Sequence, residues 1–578
     1  MLLSVVAGCA DFGAFGCDEA ADCDARAGGR CEASRWCSYD DASCDSARRY
    51  GPYAGDGLAD ACLEADAPTS TGDTGSTGSS ETDPTGECDA ESCSGLGTCV
   101  EVDAVPTCAC DEGTYREGLA CLEDPCTPGA TCLFVDAEAG SDDDEGSRER
   151  PWQTLAPLQS TALQPGTFVL LRRDRTYASP AELSGIFATL EAPVTLGAWG
   201  PRNAAKPVLN AGLVVSEAAG LVLRDLELSN PSGPCLQVER TDGVVGRSLS
   251  IHDCAGEGIA VLDGSQHTVW MDNVVNATQS TGIAVRDVVR SVDGVDTDIF
   301  VGPHHYILDN ELSGTHGVFV RLRGPGSDGD VKLLGNTLLA STFSGLSSLQ
   351  RVGWVVGNTV GGLPDGAGLT GRPHSLLIDL SATQQIAGNV FFDSGLGAEI
   401  DLSTLGVLER NTFAFMAPDT SVTRPMRLQA STTPQRLVIR GNLFLTSVDE
   451  QISTEPGALL TDIDNNAFVP QSGTCAFDEG GDVLSFEAWQ ALGRDLASTC
   501  GTIPGVTGDL LAGTDPAALE AEGFFAPLVP APGWEGCEVG VGAFDCSGAR
   551  HSAPLLDLGL ADDWDGILEV WQRYAREG

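Results

Sequence analysis

Carboxylates and bases gather in one stretch of this 578-residue sequence. The segment RDVVRSVDGVDTDIFVGPHH carries Asp293, Asp296, Asp298, His304 and His305, and the residues that follow add His316, Arg321, Arg323, Asp328, Asp330 and Lys332. These types suit proton abstraction beside a carboxylate. Grouped acids hold a hard cation such as calcium through oxygen ligands, the cation neutralises a sugar acid, and Lys332 or Arg321 removes the acidified proton. Lys332, Arg321 and His316 are therefore the catalytic candidates, and Asp296, Asp298, His304, His305, Asp328 and Asp330 the ligand or metal candidates. The competing reading is plainer: these are solvated loop charges of a very acidic protein. The acidic run GSDDDEG, Gly140–Gly146, is read the same way, as a solvated turn before a metal site.

Composition narrows the partners. There are 83 acidic and 32 basic residues, a formal net charge of −51, and only two lysines, Lys206 and Lys332. Such a chain cannot neutralise a phosphate backbone, so nucleic acid is excluded as a partner. A polyuronate would also be repelled unless cations bridged the two surfaces. With 42% hydrophobic residues the chain can bury a sizeable core, and its length suggests more than one domain.

The 21 cysteines, crowded into the first quarter, place the chain in an oxidising compartment. The odd one out is Cys9. The run MLLSVVAGC resembles the end of a bacterial lipoprotein signal peptide, with Val6, Ala7 and Gly8 in the small-residue positions, which implies a lipid on Cys9 and a signal remnant over residues 1–8. No apolar run is long enough to span a bilayer, so the expected membrane link is this lipid alone. A cysteine-rich module follows over 9–66, then a Gly/Ser/Thr linker over 67–86. Residues 87–122 carry Cys88, Cys93, Cys99, Cys108, Cys110 and Cys121 with Gly113, Tyr115 and Gly118. This pattern resembles an EGF-like domain, expected to act as a spacer and to bind no calcium. A connector spans 123–133 and holds Cys126 and Cys132, read as one small loop bridge.

Beyond it, an interrupted strand recurs as MDNVV, LDNEL, LGNTL, VGNTV, AGNVF, ERNTF, RGNLF and DNNAF. The repeat sets asparagines at Asn273, Asn310, Asn336, Asn358, Asn389, Asn411, Asn442 and Asn466. Three residues before each stands Trp270, Ile307, Leu333, Val355, Ile386, Leu408, Ile439 or Ile463, and two after stands an apolar residue from Val275 to Phe468. Positions five apart in a straight strand face opposite ways, so the two columns share one core only if the chain turns between them. Glycine, aspartate and asparagine tolerate the left-handed backbone such corners need. The spacing is that of a solenoid, and stacked coils would set the asparagine amides in a hydrogen-bonded ladder. A leucine-rich repeat has a similar period but needs a Leu-rich strand and a helical return, whereas these returns are rich in Gly, Ser and Thr.

The opening segment Phe134–Ser179, with Pro151-Trp152-Gln153-Thr154 before a capping helix and FVLL as first strand, resembles secreted right-handed parallel β-helix proteins of the pectate-lyase-like kind. So do the helical segment Ser485–Ser498 and the closing strand Gly540–Gly548. The expected architecture is all-β: a right-handed parallel β-helix solenoid over 134–548, preceded by small disulfide-rich modules. A tail over 549–578 follows, whose Trp564, Ile567, Leu568, Trp571 and Tyr574 have helical spacing. Cys235 with Cys254, Cys475 with Cys500 and Cys537 with Cys546 would staple coils or end loops. Lyases of that kind carry a tighter acidic calcium cluster than this sequence shows. GTHG, Gly314–Gly317, is similar to one turn of the glycosidases on the fold, without their paired aspartates. The preferred reading is thus a lipid-anchored protein on the extracellular face of a bacterial envelope, binding polysaccharide or a surface protein. The alternatives are a tethered polysaccharide lyase or glycosidase, with calcium as the one cofactor considered, and an inert adhesive stalk.

Overall fold

A computed structural model describes short stretches within 30–50, most strands between 93 and 123, Cys126, and residues 130–501 apart from several corner loops and single positions between 191 and 471. Cys9, the linker over 67–86, Asp293, His316, Asp328, Asp330, Cys537, Cys546, the expected closing strand and the tail lie outside the described residues. The chain divides into two compact units, 1–86 and 87–578. In the first, Arg30–Cys31, Cys37–Asp40 and Arg48–Tyr50 form an antiparallel three-stranded sheet, with Arg48 Nε donating to Ser38 Oγ at 2.9 Å.

The second unit is built on three sheets of 13 strands each, parallel throughout except for the final strand of one of them. Each coil supplies one strand to every sheet. In one coil, for example, His305–Leu308 lies in the first sheet, Glu311–Ser313 in the second and Val318–Arg321 in the third. This is a right-handed parallel β-helix, the hand that parallel crossovers overwhelmingly take. One continuous core runs through the coils, and Trp270, Ile307, Leu333, Val355, Ile386, Leu408, Ile439 and Ile463 all lie in it with Val275, Leu312, Leu338, Val360, Phe391, Phe413, Phe444 and Phe468. The last four phenylalanines stack ring on ring, 4.9–5.2 Å between centroids, because in-register coils put identical side chains one above another.

The corner between the first and second sheets explains the repeat. In every one of the eight motifs the residue before the asparagine has positive φ: Asp272, Asp309, Gly335, Gly357, Gly388, Arg410, Gly441 and Asn465, between 50° and 68°. The left-handed residue makes the bend, and the asparagine that follows points inward to hold it. Each Nδ2 donates to a backbone carbonyl one coil back at 2.7–3.1 Å, and from Asn273 through Asn442 also to the Oδ1 of the next asparagine at 2.9–3.0 Å. Each Oδ1 also accepts the preceding asparagine's backbone N–H. The side chains are buried and saturated, as buried amides must be. At the far end Asn466 donates to Asp495 Oδ1 at 2.9 Å, so the aligned amide N–H groups finish on a carboxylate. The two preceding corners use the same bend, at Asp225 and Ser248, with buried Leu226 and Leu249 in place of asparagine.

The ends are closed. The strand Cys132–Val135 opens the first sheet, and a 3₁₀ turn at Ala156–Ser160, beginning later than the expected Pro151, covers the first coil with buried Leu155 and Leu158. The acidic run ahead of it is more than a solvated turn: Asp142 accepts from Gln153 N, Thr154 N and Thr154 Oγ1, and Asp144 and Glu145 both pair with Arg150. At the other end the strand Asp482–Ser485 pairs antiparallel, and the helix Phe486–Gln490, capped by Ser485, buries Trp489 against Phe477. The expected bridges Cys126–Cys132, Cys235–Cys254 and Cys475–Cys500 are present, with Cys93–Cys108 and Cys110–Cys121. Tyr115, on a hairpin of Thr114–Glu117 and Ala120–Glu123, is buried with Phe134, Leu170 and Trp199 of the first coils, where Arg148 covers its ring at 3.9 Å. Through Tyr115 this hairpin packs on the first coils of the solenoid.

Candidate functional site

The three corners of the coil differ in length. From the strand ending at Arg224 to that starting at Ala467, ten successive passages from first to second sheet take two residues each. Over these ten coils the length variation falls at the other two corners, and both border the third sheet; the two coils before them also differ at the first corner, with three residues between Arg172 and Thr176 and eight between Trp199 and Val208. Between third and first sheets the chain runs from Arg286 to His305 and from Arg321 to Val331; between second and third it runs from Gly361 to Leu376 and from Phe415 to Met426. Insertions that leave a rigid stack along both edges of one sheet build walls beside it, and such walls are where binding surfaces form. The longest carries an antiparallel hairpin of its own, Val288–Val292 with Val295–Ile299.

The first sheet offers no comparable surface. Its outward side chains Val222, Val245, Val269, Met271, Tyr306 and Leu308 form a second buried cluster, and Trp354, Val356 and Ala387 extend it. The third sheet presents polar groups on its outer face. In-register neighbours there include Glu182 and Gln237 on either side of the apolar Val214, and, further along, Arg427 with Ser453; the backbone register also sets Arg321 beside Arg286. Arg286 Nη2 donates to Glu257 Oε1 at 2.9 Å. Gln237 Nε2 donates to Glu239 Oε2 at 3.4 Å, and Arg240, at a left-handed corner, bridges Glu239 and the buried Asp263 at 2.8 and 2.7 Å.

The sequence candidates separate on this frame. Arg321 stands at a third-sheet position, and Asp296 and Asp298 lie on the second strand of the hairpin, in backbone register with Ser291 and Val289. Lys332 goes elsewhere: it is a first-sheet residue, 4% exposed, its Nζ 5.0 and 4.8 Å from the ring centroids of Tyr306 and Trp354 and 3.4 Å from Tyr306 Oη. An ammonium held between aromatic faces is a packed cation, not a base on an open surface. Lys332 and Arg321, the two alternative bases, therefore stand on different sheets.

His305 is a core residue too. Its Nε2 donates to Gly302 O at 2.8 Å, so Nδ1 is the acceptor for Thr268 Oγ1 at 2.9 Å. Burial holds its pKa down at about 4, and the nearby His267 and His304 work in the same direction. Both ring nitrogens are used, which leaves none for a ligand. His304, with φ of 65°, stacks on His267 at 5.0 Å, and His267 Nδ1 bonds Asp242 Oδ1 at 2.6 Å. Among the described residues, three ligand atoms of His, Cys, Asp or Glu converge only at Cys93, Cys108 and Cys121, all of them in disulfides. Among the described residues no three carboxylates converge as a calcium site would need.

Sequence reading missed the aromatic pair around Lys332 and the Glu257–Arg286 ion pair. A register signal for the first was present, since Tyr306, Lys332 and Trp354 occupy matched strand positions, with a one-residue shift at Val331; Glu257 lies outside the strands.

No family model matches this sequence, and no curated protein does. Among solved structures, the GH136 lacto-N-biosidase from Eubacterium ramulus is similar over 59% of this chain and 64% of its own, at 14% identity and a TM-score of 0.36. The A-module of the mannuronan C-5 epimerase AlgE4 of Azotobacter vinelandii is similar over 57% and 94%, at 13% identity and 0.35. The pectate lyase Pel9A is similar over 58% and 78%, at 10% identity and 0.31. The chain thus spans under two thirds of the first of these structures. Likeness at this level bears on fold alone, and the fold stands on the strand order itself.

Proposed function

We propose that this chain is an extracellular glycan-binding β-helix protein whose ligand lies along the outer face of the third sheet. The observation that carries the reading is the corner asymmetry: a two-residue bend at one edge through ten successive coils, and insertions at both edges of one sheet that carries polar groups. Five disulfides among the described residues support an oxidising, extracellular setting. A lipid on Cys9 would hold the protein at a bacterial envelope. Binding is preferred over catalysis because Lys332, one of the two candidate bases, is buried on another sheet. The enzyme alternative, a polysaccharide lyase or glycosidase, keeps one point in its favour: Arg321 stands in register with Arg286 between the two variable edges.

The test is a panel of neutral, amino-sugar and uronate polysaccharides, with and without calcium. Retention in affinity electrophoresis is read beside ultraviolet-absorbing unsaturated ends and reducing sugar. Retention without turnover is the expected result. Turnover that disappears in Arg321→Ala would replace binding with catalysis, and neither retention nor turnover would leave a surface-protein ligand or a stalk.

A further inference from the structure

A cavity of about 400 Å³ lies where the N-terminal cap meets the first complete coil. Its volume falls in the lower part of the roughly 300–1,000 Å³ range of small-molecule sites, room for a sugar residue or two. Leu155, Tyr177 and Ala181 are its buried apolar members. Tyr177 is held rigidly, since its Oη donates to Val135 O and accepts from Arg172 N, both at 2.9 Å. The exposed lining is polar: the Gln159 amide, the Thr176 and Ser179 hydroxyls and the Glu182 carboxylate. Glu182 makes one long contact, accepting from Ser216 Oγ at 3.5 Å.

Two features select a ligand. Amides, hydroxyls and a carboxylate around a rigid apolar floor match a polyhydroxylated ring, which has hydrogen-bonding edges and C–H faces. No lysine, arginine or histidine lines the cavity, so a carboxylate-bearing sugar would meet Glu182 with no compensating charge. Place adds a third constraint. Glu182 begins the outward column that continues through Val214 and Gln237 on the third sheet, so the cavity lies at the N-terminal end of that face.

We propose that this cavity is a chain-end subsite for a sugar without an acid group, uncharged or amine-bearing, with Glu182 as its polar anchor. The proposal rests on the third-sheet reading and names the sugar class that reading leaves open. The full chain is titrated calorimetrically with cellopentaose, the glucosamine pentamer and pentagalacturonate. The first two should bind and the third should not. Ser179→Trp, which fills the cavity from an exposed position, should weaken binding at least tenfold, and Glu182→Gln should weaken the glucosamine pentamer at least fivefold more than cellopentaose. Unchanged affinity in a Ser179→Trp protein with wild-type circular dichroism overturns the subsite, as does a preference for pentagalacturonate. If binding survives Ser179→Trp but is lost in Arg286→Ala, the subsite falls and the third-sheet reading stands. Failure of all three pentasaccharides also overturns the subsite; only failure of polysaccharide retention as well overturns the reading beneath it.

Discussion

Two edges of the same coil obey opposite rules. At the corner between first and second sheets, ten successive coils bend through one left-handed residue without an insertion, eight of them held by a buried asparagine and two by a buried leucine. At the edges of the third sheet the chain takes a short turn in one coil and a hairpin in another. The difference follows from hydrogen bonding. A ladder amide is bonded to the coils on both sides, so an inserted residue would orphan buried donors above and below it. A loop at the other corners answers to solvent and is free to vary. The constant edge is scaffold, and the variable edges are where a ligand surface can be built without disturbing it.

The sharpest way to break this contrast is to remove one rung. Asn389→Ala leaves the backbone N–H and one amide N–H of Asn358 without their shared acceptor, and Val355 O without a donor. Each buried orphan costs about 1–3 kcal/mol, so a loss of about 3 kcal/mol or more is expected in denaturant unfolding. Asn389→Leu should fare little better, although leucine fills this position at Leu226 and Leu249, because its neighbours here are amides rather than leucines.

Acid should weaken the coil at His305 on a similar scale. Its folded pKa of about 4 lies below the ordinary imidazole value of 6.5, so the unfolded chain binds more protons between the two. Stability from this group is complete above about pH 6.5 and is lost as pH falls through 4, on the order of a few kcal/mol. Melting temperatures measured across that window should fall, and His305→Gln should flatten the His305 part of the slope.

Smaller effects separate the bend from the rung. Gly388 has φ of 62°, and Gly388→Ala should cost about 1–2 kcal/mol from Cβ strain alone, with the ladder intact. Least costly should be a shortened Gly361–Leu376 connection, which should shift the melting temperature by no more than about 2 °C because loop closure depends weakly on length. A large loss from that deletion would show that the variable edge is scaffold after all. Lys332→Met should leave glycan retention unchanged where Arg286→Ala lowers it, since only the second lies on the third sheet.

Much of the fold was legible in one dimension because its stabilising contacts repeat. Apolar residues three before and two after each asparagine announced a bend, and the bend is there. Cys235 with Cys254 and Cys475 with Cys500 were readable because each pair is separated by about one coil. The corners at Asp225 and Ser248 escaped notice, since leucine does the work of asparagine there by packing instead of bonding. The candidate site was far less legible. Gly-rich and charged loops advertised chemistry around residues 287–332, yet Lys332 and His305 proved to be buried.

What the sequence determined by itself is the coil: the period, the corner, the two inward columns and the ladder that joins them, all set by residues within a few positions of one another. What only the tertiary structure decided is which charges stay wet. Lys332 is closed in by Tyr306, 26 residues before it, and by Trp354, which stands one coil after it. Stacking brings such residues together across coils, and burial, unlike a bend, depends on neighbours that sequence spacing does not name.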